Sequence, residues 1–285
     1  MRTCCFLTMD DLAGYVSDDD LAIGPLERLG WQVEKVSWRS EKVDWNSFDV
    51  VVVRTTWDYQ NAPIRFLEVL RSIESSSARL ENPLALMEWN LDKRYLCELE
   101  ADGNSIVPTI WGNGVFTKTE FSGWLSSLGT DEVVIKPTIS ATAKDTFRAK
   151  SFDPDIASVF EGRGYMVQPF LRSIVDEGEY SVFYFDGEYS HTILKTPKRD
   201  DYRVQEEHGG VIKAVEPQAD LIASARSIEN SLLPRPLYAR IDLVRDGSKF
   251  RLMELELIEP ALYFRMDDRS ASRFAMALNK RFNEL

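Results

Sequence analysis

Histidine and cysteine are scarce in this 285-residue chain: His191 and His208, and Cys4, Cys5 and Cys97. Two histidines leave little room for a His-rich metal site or a His-based catalytic triad. Three cysteines, two of them adjacent, make no disulfide framework, and no CxxC pair points to zinc. They read as buried thiols of a reducing compartment. Long hydrophobic runs are also missing. The longest clean aliphatic stretch, Val50 to Val53, is far short of the ~20 residues that span a bilayer. The N-terminus turns acidic at Asp10-Asp11, too early for a signal peptide. Neither GxxxxGK[ST] nor GxGxxG occurs, so neither the P-loop nor the dinucleotide fingerprint applies. Positive charge is in deficit. A formal net charge of −12 disfavours a polyanion partner such as nucleic acid. The expectation is a soluble, cytoplasmic protein with neither nucleic acid nor membrane as partner.

What is present is enough to fold. Apolar residues make up 44% and aromatics 11%, sufficient for a sizeable core. At roughly 150 residues per domain the length allows one or two. The first 88 residues alternate strand and helix signals: strands at 2–8, 31–36, 48–53 and 78–81, helices at 18–29 and 64–73. Ser17 and Gly30 bracket the first helix, which Pro25 weakens. The continuous apolar strand Phe48 to Val53 is the kind buried on both faces of a parallel sheet. This is an α/β layout, in which ligands sit at the carboxyl ends of strands. Beyond it the character changes to α+β. Helices are expected at 92–101, 119–128, 219–232 and 269–282. Strands are expected at 106–110, 132–137, 165–170, 180–185, 189–195, 237–245 and 249–257, with Asp186-Gly187 a hairpin turn.

Three constellations carry chemistry. Arg240-Ile241-Asp242 and Glu254-Leu255-Glu256 place carboxylates on two otherwise apolar strands of a hairpin. Glu254 and Glu256 share a face. A two-residue turn at Asp246-Gly247 sets Asp242 opposite Arg251, whereas a three-residue turn centred on Ser248 sets it opposite Glu254. The sequence allows both. In the second register three carboxylates converge beside Arg240, an oxygen ligand set suited to Mg²⁺. The alternative is the solvated polar face of an edge hairpin. Second, Val133-Val134-Ile135-Lys136-Pro137 ends an apolar strand in lysine. It precedes a loop of small and hydroxyl residues, 138–144, that could hold phosphates. Third, Val167 to Leu171 could offer backbone hydrogen bonds to an adenine edge. Arg203 and Lys195 are candidates to hold a substrate carboxylate, helped by Arg54 from the N-terminal region. Trp57 and Tyr59 suit either the substrate cleft or interdomain packing.

In order and rough spacing, Asn90-Leu91-Asp92-Lys93, Lys136-Pro137, Gln168 to Leu171, Gly178 to Val182, Arg240 to Asp242 and Glu254 to Glu256 resemble the ATP-grasp superfamily. Its glutathione synthetase and D-alanine–D-alanine ligase-like members are the nearest in character. Lys195-Thr196-Pro197, Asp201-Tyr202-Arg203 and Gly209-Gly210 are similar to glutathione synthetases. Arg54 to Tyr59 and Glu254 to Pro260 resemble the small group containing O-ureido-D-serine cyclo-ligase.

That resemblance implies an ATP-grasp fold over residues 89–285, with a lid subdomain near 105–163, behind a parallel-sheet pre-ATP-grasp domain over 1–88. It implies that Lys93 and Lys136 reach the nucleotide phosphates. Gln168, Pro169, Phe170 and Leu171 line adenine, and Glu179 lies near the ribose. Arg240 meets the transferred phosphate, and Asp242, Glu254 and Glu256 bind metal. The cofactors are then ATP and one or two Mg²⁺ ions, with Mn²⁺ an admissible substitute. Two departures stand out: Glu256 where the ligases commonly have Asn, and a loop at 138–144 without the usual glycines. The implied activity is an ATP-dependent carbon–nitrogen ligase. It activates a small amino-acid-like carboxylate as an acyl phosphate for an amine-type nucleophile, releasing ADP and phosphate. The alternatives are an intramolecular cyclo-ligase of the O-ureido-D-serine type and a non-catalytic nucleotide-binding module. A homo-oligomer is compatible with each.

Overall fold

The computed structural model describes residues 1–140, 143–199 and 201–283. Ala141 and Thr142 of the small-residue loop lie outside the described residues. Strands β1 (Arg2–Thr8), β2 (Trp31–Ser37), β3 (Val50–Thr55) and β4 (Arg79–Glu81) form a parallel sheet in the order β2-β1-β3-β4. Every residue of β3 is buried, as its unbroken valine run requires. Phe66, Leu70 and Ile73 of the helix Pro63–Glu74 pack with Val51, Val53 and Trp38 on one face. The other face, through Phe6, Val50 and Val52, meets Phe274 and Leu278 of the helix Ser270–Asn283. The chain's last helix thus closes its first sheet.

The segment expected as a helix at 18–29 is a 3-10 turn over Asp19–Ala22 followed by an α-helix over Ile23–Arg28. Pro25 falls in the first turn of that helix, where no backbone N–H is needed. Gly30, at φ +86°, ends the element.

Strands β5 (Ile110–Asn113), β6 (Val133–Pro137), β7 (Phe147–Ala149) and β8 (Gly164–Pro169) form an antiparallel sheet in the order β5-β8-β6-β7. Its own core is aromatic: Phe116, Phe121, Trp124, Phe160 and Tyr165. The expected strand at 106–110 is displaced. Ile106 makes a single bridge to Leu252, and regular pairing starts at Ile110.

The third sheet holds β9 (Glu179–Phe185), β10 (Glu188–Thr196), β11 (Val211–Ala214), β12 (Tyr238–Asp246) and β13 (Lys249–Glu256), in the order β11-β10-β9-β12-β13. One face is apolar. Tyr180, Val182, Ile241, Leu243 and Leu255 pack under Leu221, Ala225 and Ile228 of the helix Ala219–Asn230 and Leu96 and Leu99 of the helix Tyr95–Ala101. The expected helix at 92–101 is shorter than its signal, and a separate helix, Leu84–Asn90, precedes it. Among the described residues no helix is long and apolar enough to cross a membrane.

Candidate active site

Strand pleating sends alternate residues of β9, β10, β12 and β13 to one face. Through the pairings Lys195↔Glu179, Asp242↔Ser181, Asp242↔Glu254 and Arg240↔Glu256, the polar members of that face become neighbours. The hairpin follows neither register as first drawn. Its turn is Gly247-Ser248, with Asp246 paired to Lys249, and this alone would misalign the carboxylates. A β-bulge between Leu252 and Glu254, at Met253, shifts the register so that Asp242 faces Glu254.

β13 is an edge strand, so its outer backbone groups need partners. Tyr95 Oη accepts from Leu255 N (2.8 Å) and donates to Leu255 O (2.9 Å). Asn90 accepts from Leu257 N and donates to Leu255 O, both at 2.9 Å. Asn82 Nδ2 donates to Leu257 O (2.7 Å) and Tyr238 O (2.9 Å). These three side chains hold the edge from which Glu254 and Glu256 project. The sequence signal for them was faint: buried polar residues beside apolar ones.

The charges form a connected network. Arg240 donates through Nη2 to Asp242 Oδ2 (2.9 Å), through Nε to Asp242 Oδ1 (3.1 Å), and also contacts Glu256. Ser181 Oγ donates to Asp242 Oδ1 at 2.5 Å. Lys195 Nζ sits 2.5 Å from Glu179 and 3.2 Å from Asp242. Lys93 Nζ is 3.1 Å from Glu254 and donates to Ser140 O at 2.6 Å. Lys136 contacts only Met253 Sδ, at 3.9 Å, among the described residues.

Burial sets the titration of these groups. It would raise the Asp242 carboxyl, but Arg240 and Lys195 outweigh it and hold the group near 2. Burial pushes Glu256 up to about 7 against the pull of Arg240, and raises Glu179 against Lys195. Burial lowers the Lys136 ammonium, with Glu254 opposing. Glu254 is lowered: Lys93 and Lys136 outweigh its burial. Burial likewise opposes the charge of Lys195, but Asp242 and Glu179 outweigh it, and the ammonium is raised.

The cavity between the second and third sheets brings together nearly all the expected site residues. Lys93, Lys136, Gln168, Pro169, Phe170, Leu171, Glu179, Lys195, Arg203, Arg240, Asp242, Glu254 and Glu256 all line it. Among the described residues no three His, Cys, Asp or Glu side chains already form a metal cage. The three expected metal carboxylates are instead engaged by Arg240, Lys195 and Lys93. Gln168 Nε2 donates to Thr109 (3.0 Å), and the Phe170 N–H is committed to Glu132 O (2.9 Å). Arg203 is held bidentate by Asp201.

Arg54 is a correction. Its guanidinium is fully buried away from the cavity, donating to Asp19 (2.9 Å) and Pro260 O (2.8 Å). It clasps the first sheet to the segment after β13 and is not placed to meet a substrate. Trp57 and Tyr59 are buried in the N-terminal core and also line the cavity, with Tyr15. Glu259 lines it too. It was not singled out as a site residue, and its only signal was a third acid close behind Glu254 and Glu256.

The chain is 32% identical over 258 residues to the cycloserine biosynthesis protein DcsG of Streptomyces lavendulae, covering 82% of this chain and 83% of that protein. It belongs to the DcsG family of ATP-grasp ligases. Residues 4–82 match the family described as the N-terminal domain of D-cycloserine synthetase DcsG. The crystal structure of D-cycloserine synthetase DcsG superposes with a TM-score of 0.84 at 27% identity, covering 98% of this chain and 99% of that one. The fold is shared with the ATP-grasp ligase PsnB, solved with a minimal precursor, Mg and ADP (TM-score 0.66, 14% identity, 99% and 98% covered). As an ATP-grasp protein this chain is an ATP-dependent ligase, and the cavity between its two antiparallel sheets is its candidate active site.

Proposed function

We propose that the protein activates a small amino-acid-like carboxylate as an acyl phosphate and joins it to an amine-type nucleophile, making a carbon–nitrogen bond. The observation that carries this reading is the meeting of Lys93, Lys136 and Arg240 with Asp242, Glu254 and Glu256 in one cavity. A carboxylate is a poor acyl donor at neutral pH. Transfer of the γ-phosphoryl of ATP gives it a leaving group, provided the reactants are aligned and the developing charge is neutralised.

Each residue has a part. Lys93 and Lys136 bind the phosphates. Lys136 is buried and, among the described residues, makes no ion pair within salt-bridge distance, so it is poised to accept an anion. Gln168 to Leu171 border the adenine, and Glu179 faces the ribose from beside Lys195. Arg240 orients the transferring phosphoryl against the substrate carboxylate. Arg203 and Lys195 supply positive charge for substrate carboxylates. Asp242, Glu254 and Glu256 would hold Mg²⁺. Their donors are all carboxylate oxygens, which suits a hard cation. Six carboxylates against five Lys and Arg line the cavity, so its charge leaves room for a divalent ion bridging to phosphate. When bound, Mg²⁺ neutralises charge on the phosphates.

Ring closure within one substrate is the second reading. The 32% identity to a cycloserine biosynthesis protein favours it. A panel of amino acids, O-ureido-D-serine among them, tests both by substrate-dependent ADP release and product mass. A condensed product of two substrates supports intermolecular ligation. A cyclic product of one substrate, less water or, from O-ureido-D-serine, less ammonia and carbon dioxide, supports ring closure. ATP hydrolysis indifferent to every carboxylate contradicts both.

A further inference from the structure

Seven acidic residues are buried among the described residues: Asp19, Glu81, Glu132, Glu179, Glu229, Asp242 and Glu259. Six of them hold an arginine or lysine. Asp19 pairs with Arg54, Glu81 with Arg281, Glu132 with Arg148, Glu179 with Lys195, Glu229 with Arg226, and Asp242 with Arg240. Glu259 is only 8% exposed and lines the cavity. Among the described residues its carboxylate has no ion pair or hydrogen bond; only its backbone carbonyl is engaged, accepting from Trp57 Nε1 at 2.8 Å. A buried carboxylate without a partner is expensive to keep ionised. A cation arriving from the cavity would compensate it.

The surroundings are pre-organised for such a cation. Trp57 fixes the Glu259 carbonyl and Arg54 fixes the next one, Pro260 O, so the backbone carrying the carboxylate is held from both sides. Tyr15, Trp57 and Tyr59 line the same part of the cavity, and the Tyr15 and Trp57 rings stand 5.3 Å apart. Aromatic faces beside a carboxylate suit an ammonium group. The cations that act on Glu259 include Lys93 and Arg240, and Arg203 and Lys195, the groups proposed above for the substrate carboxylate, line the same cavity. The cavity therefore offers a cation for one end of a zwitterion and an anion for the other.

We propose that Glu259 is the residue that recognises the ammonium group of the amino-acid substrate. This rests on the ligase reading above and adds a specificity-determining residue to it. Burial also raises the Glu259 carboxyl well above its ordinary value, with Glu256 adding to the effect. That is the state of an acid still awaiting its counter-ion.

The test is saturation-transfer NMR on the protein loaded with Mg²⁺ and a non-hydrolysable ATP analogue. The probes are D- and L-amino acids, including serine and O-ureido-D-serine, each paired with its des-amino counterpart. The amino member of a pair should bind about tenfold or more tightly. Glu259→Gln should erase that preference and leave the affinity for the ATP analogue unchanged. Glu259→Asp, which keeps the charge, should retain the preference at weaker affinity, and this separates charge recognition from a folding defect. Equal binding of both pair members, or a preference surviving in Glu259→Gln, overturns the subsite while the ligase reading stands. Absence of binding by every amino acid with the nucleotide bound also overturns it. Failure of the wild-type protein to bind the ATP analogue overturns both.

Discussion

Asp242 lies opposite Glu254 across β12 and β13 because β13 carries one extra residue at Met253. Without that bulge the Gly247-Ser248 turn would set Asp242 against Met253, and the acids would face apart. The bulge therefore brings the Asp242 and Glu254 carboxylates together on the cavity wall, where the proposed phosphoryl transfer would need them. Glu254→Gln is expected to lower substrate-dependent ADP formation by about two orders of magnitude. Its melting temperature should stay close to wild type, because the Glu254 side chain is 30% exposed and paired only with Lys93 among the described residues. An ADP-release assay alongside a thermal melt checks both halves.

Lys136 is buried, and among the described residues its one polar contact is the Met253 thioether. Lys136→Met is expected to keep or raise the stability of the nucleotide-free protein, since it removes a desolvated ammonium. The same change should weaken ATP by about tenfold to a hundredfold, the loss of a charge-assisted bond of about 1.5–3 kcal/mol. Adenosine affinity should barely move. Calorimetry with ATP and with adenosine, set against urea melts, reads all three quantities.

Arg54 and Asp19 form a buried pair that also holds Pro260 O. Arg54→Met leaves Asp19 buried without its cation and should destabilise the protein by about 3–5 kcal/mol. Asp19→Leu in the same chain should recover part of the loss. Urea denaturation of the single and double variants measures the coupling. A change of less than about 1 kcal/mol in the single variant would contradict the clasp.

His191 is buried against Phe183, with ring centroids 4.2 Å apart, and its Nε2 lies 3.0 Å from Leu262 O. Burial lowers its pKa from 6.5 to about 4. Between those values the unfolded chain binds more protons than the folded one, so stability rises with pH across that window. It is lost as pH falls from 6.5 toward 4, by up to about 3 kcal/mol from this group. His191→Gln should flatten the slope of denaturation free energy against pH between 6.5 and 4 relative to wild type. An unchanged slope would mean that the ring is already charged in the folded state.

Much of this was legible in the sequence because the signals were local. The valine run of β3 gave a buried parallel strand. The order of Lys93, Lys136, Gln168, Arg240, Asp242 and Glu254 resembles that of ATP-grasp ligases, and that resemblance implied the ATP-grasp fold. What was not legible depends on partners far along the chain. Arg54 at the end of β3 looked like a ligand-facing charge; its partner Asp19 lies 35 residues upstream, and their pairing has no local pattern. The bulge at Met253 leaves the residue types unchanged and alters only the register. Glu259 resembled one more acid in a run of acids; what sets it apart is burial without a charged partner among the described residues. The helix Leu84–Asn90 was missed because its one-sided burial through Leu86, Met87 and Asn90 is short, and Pro83 before it reads as a break.

The central claim is that a substrate carboxylate oxygen is phosphorylated by ATP. It is tested most directly with the amino acid that supports ADP release, labelled with ¹⁸O in its carboxylate. Mass spectrometry of the released phosphate should find one labelled oxygen in each phosphate formed. Unlabelled phosphate at normal turnover would contradict the account.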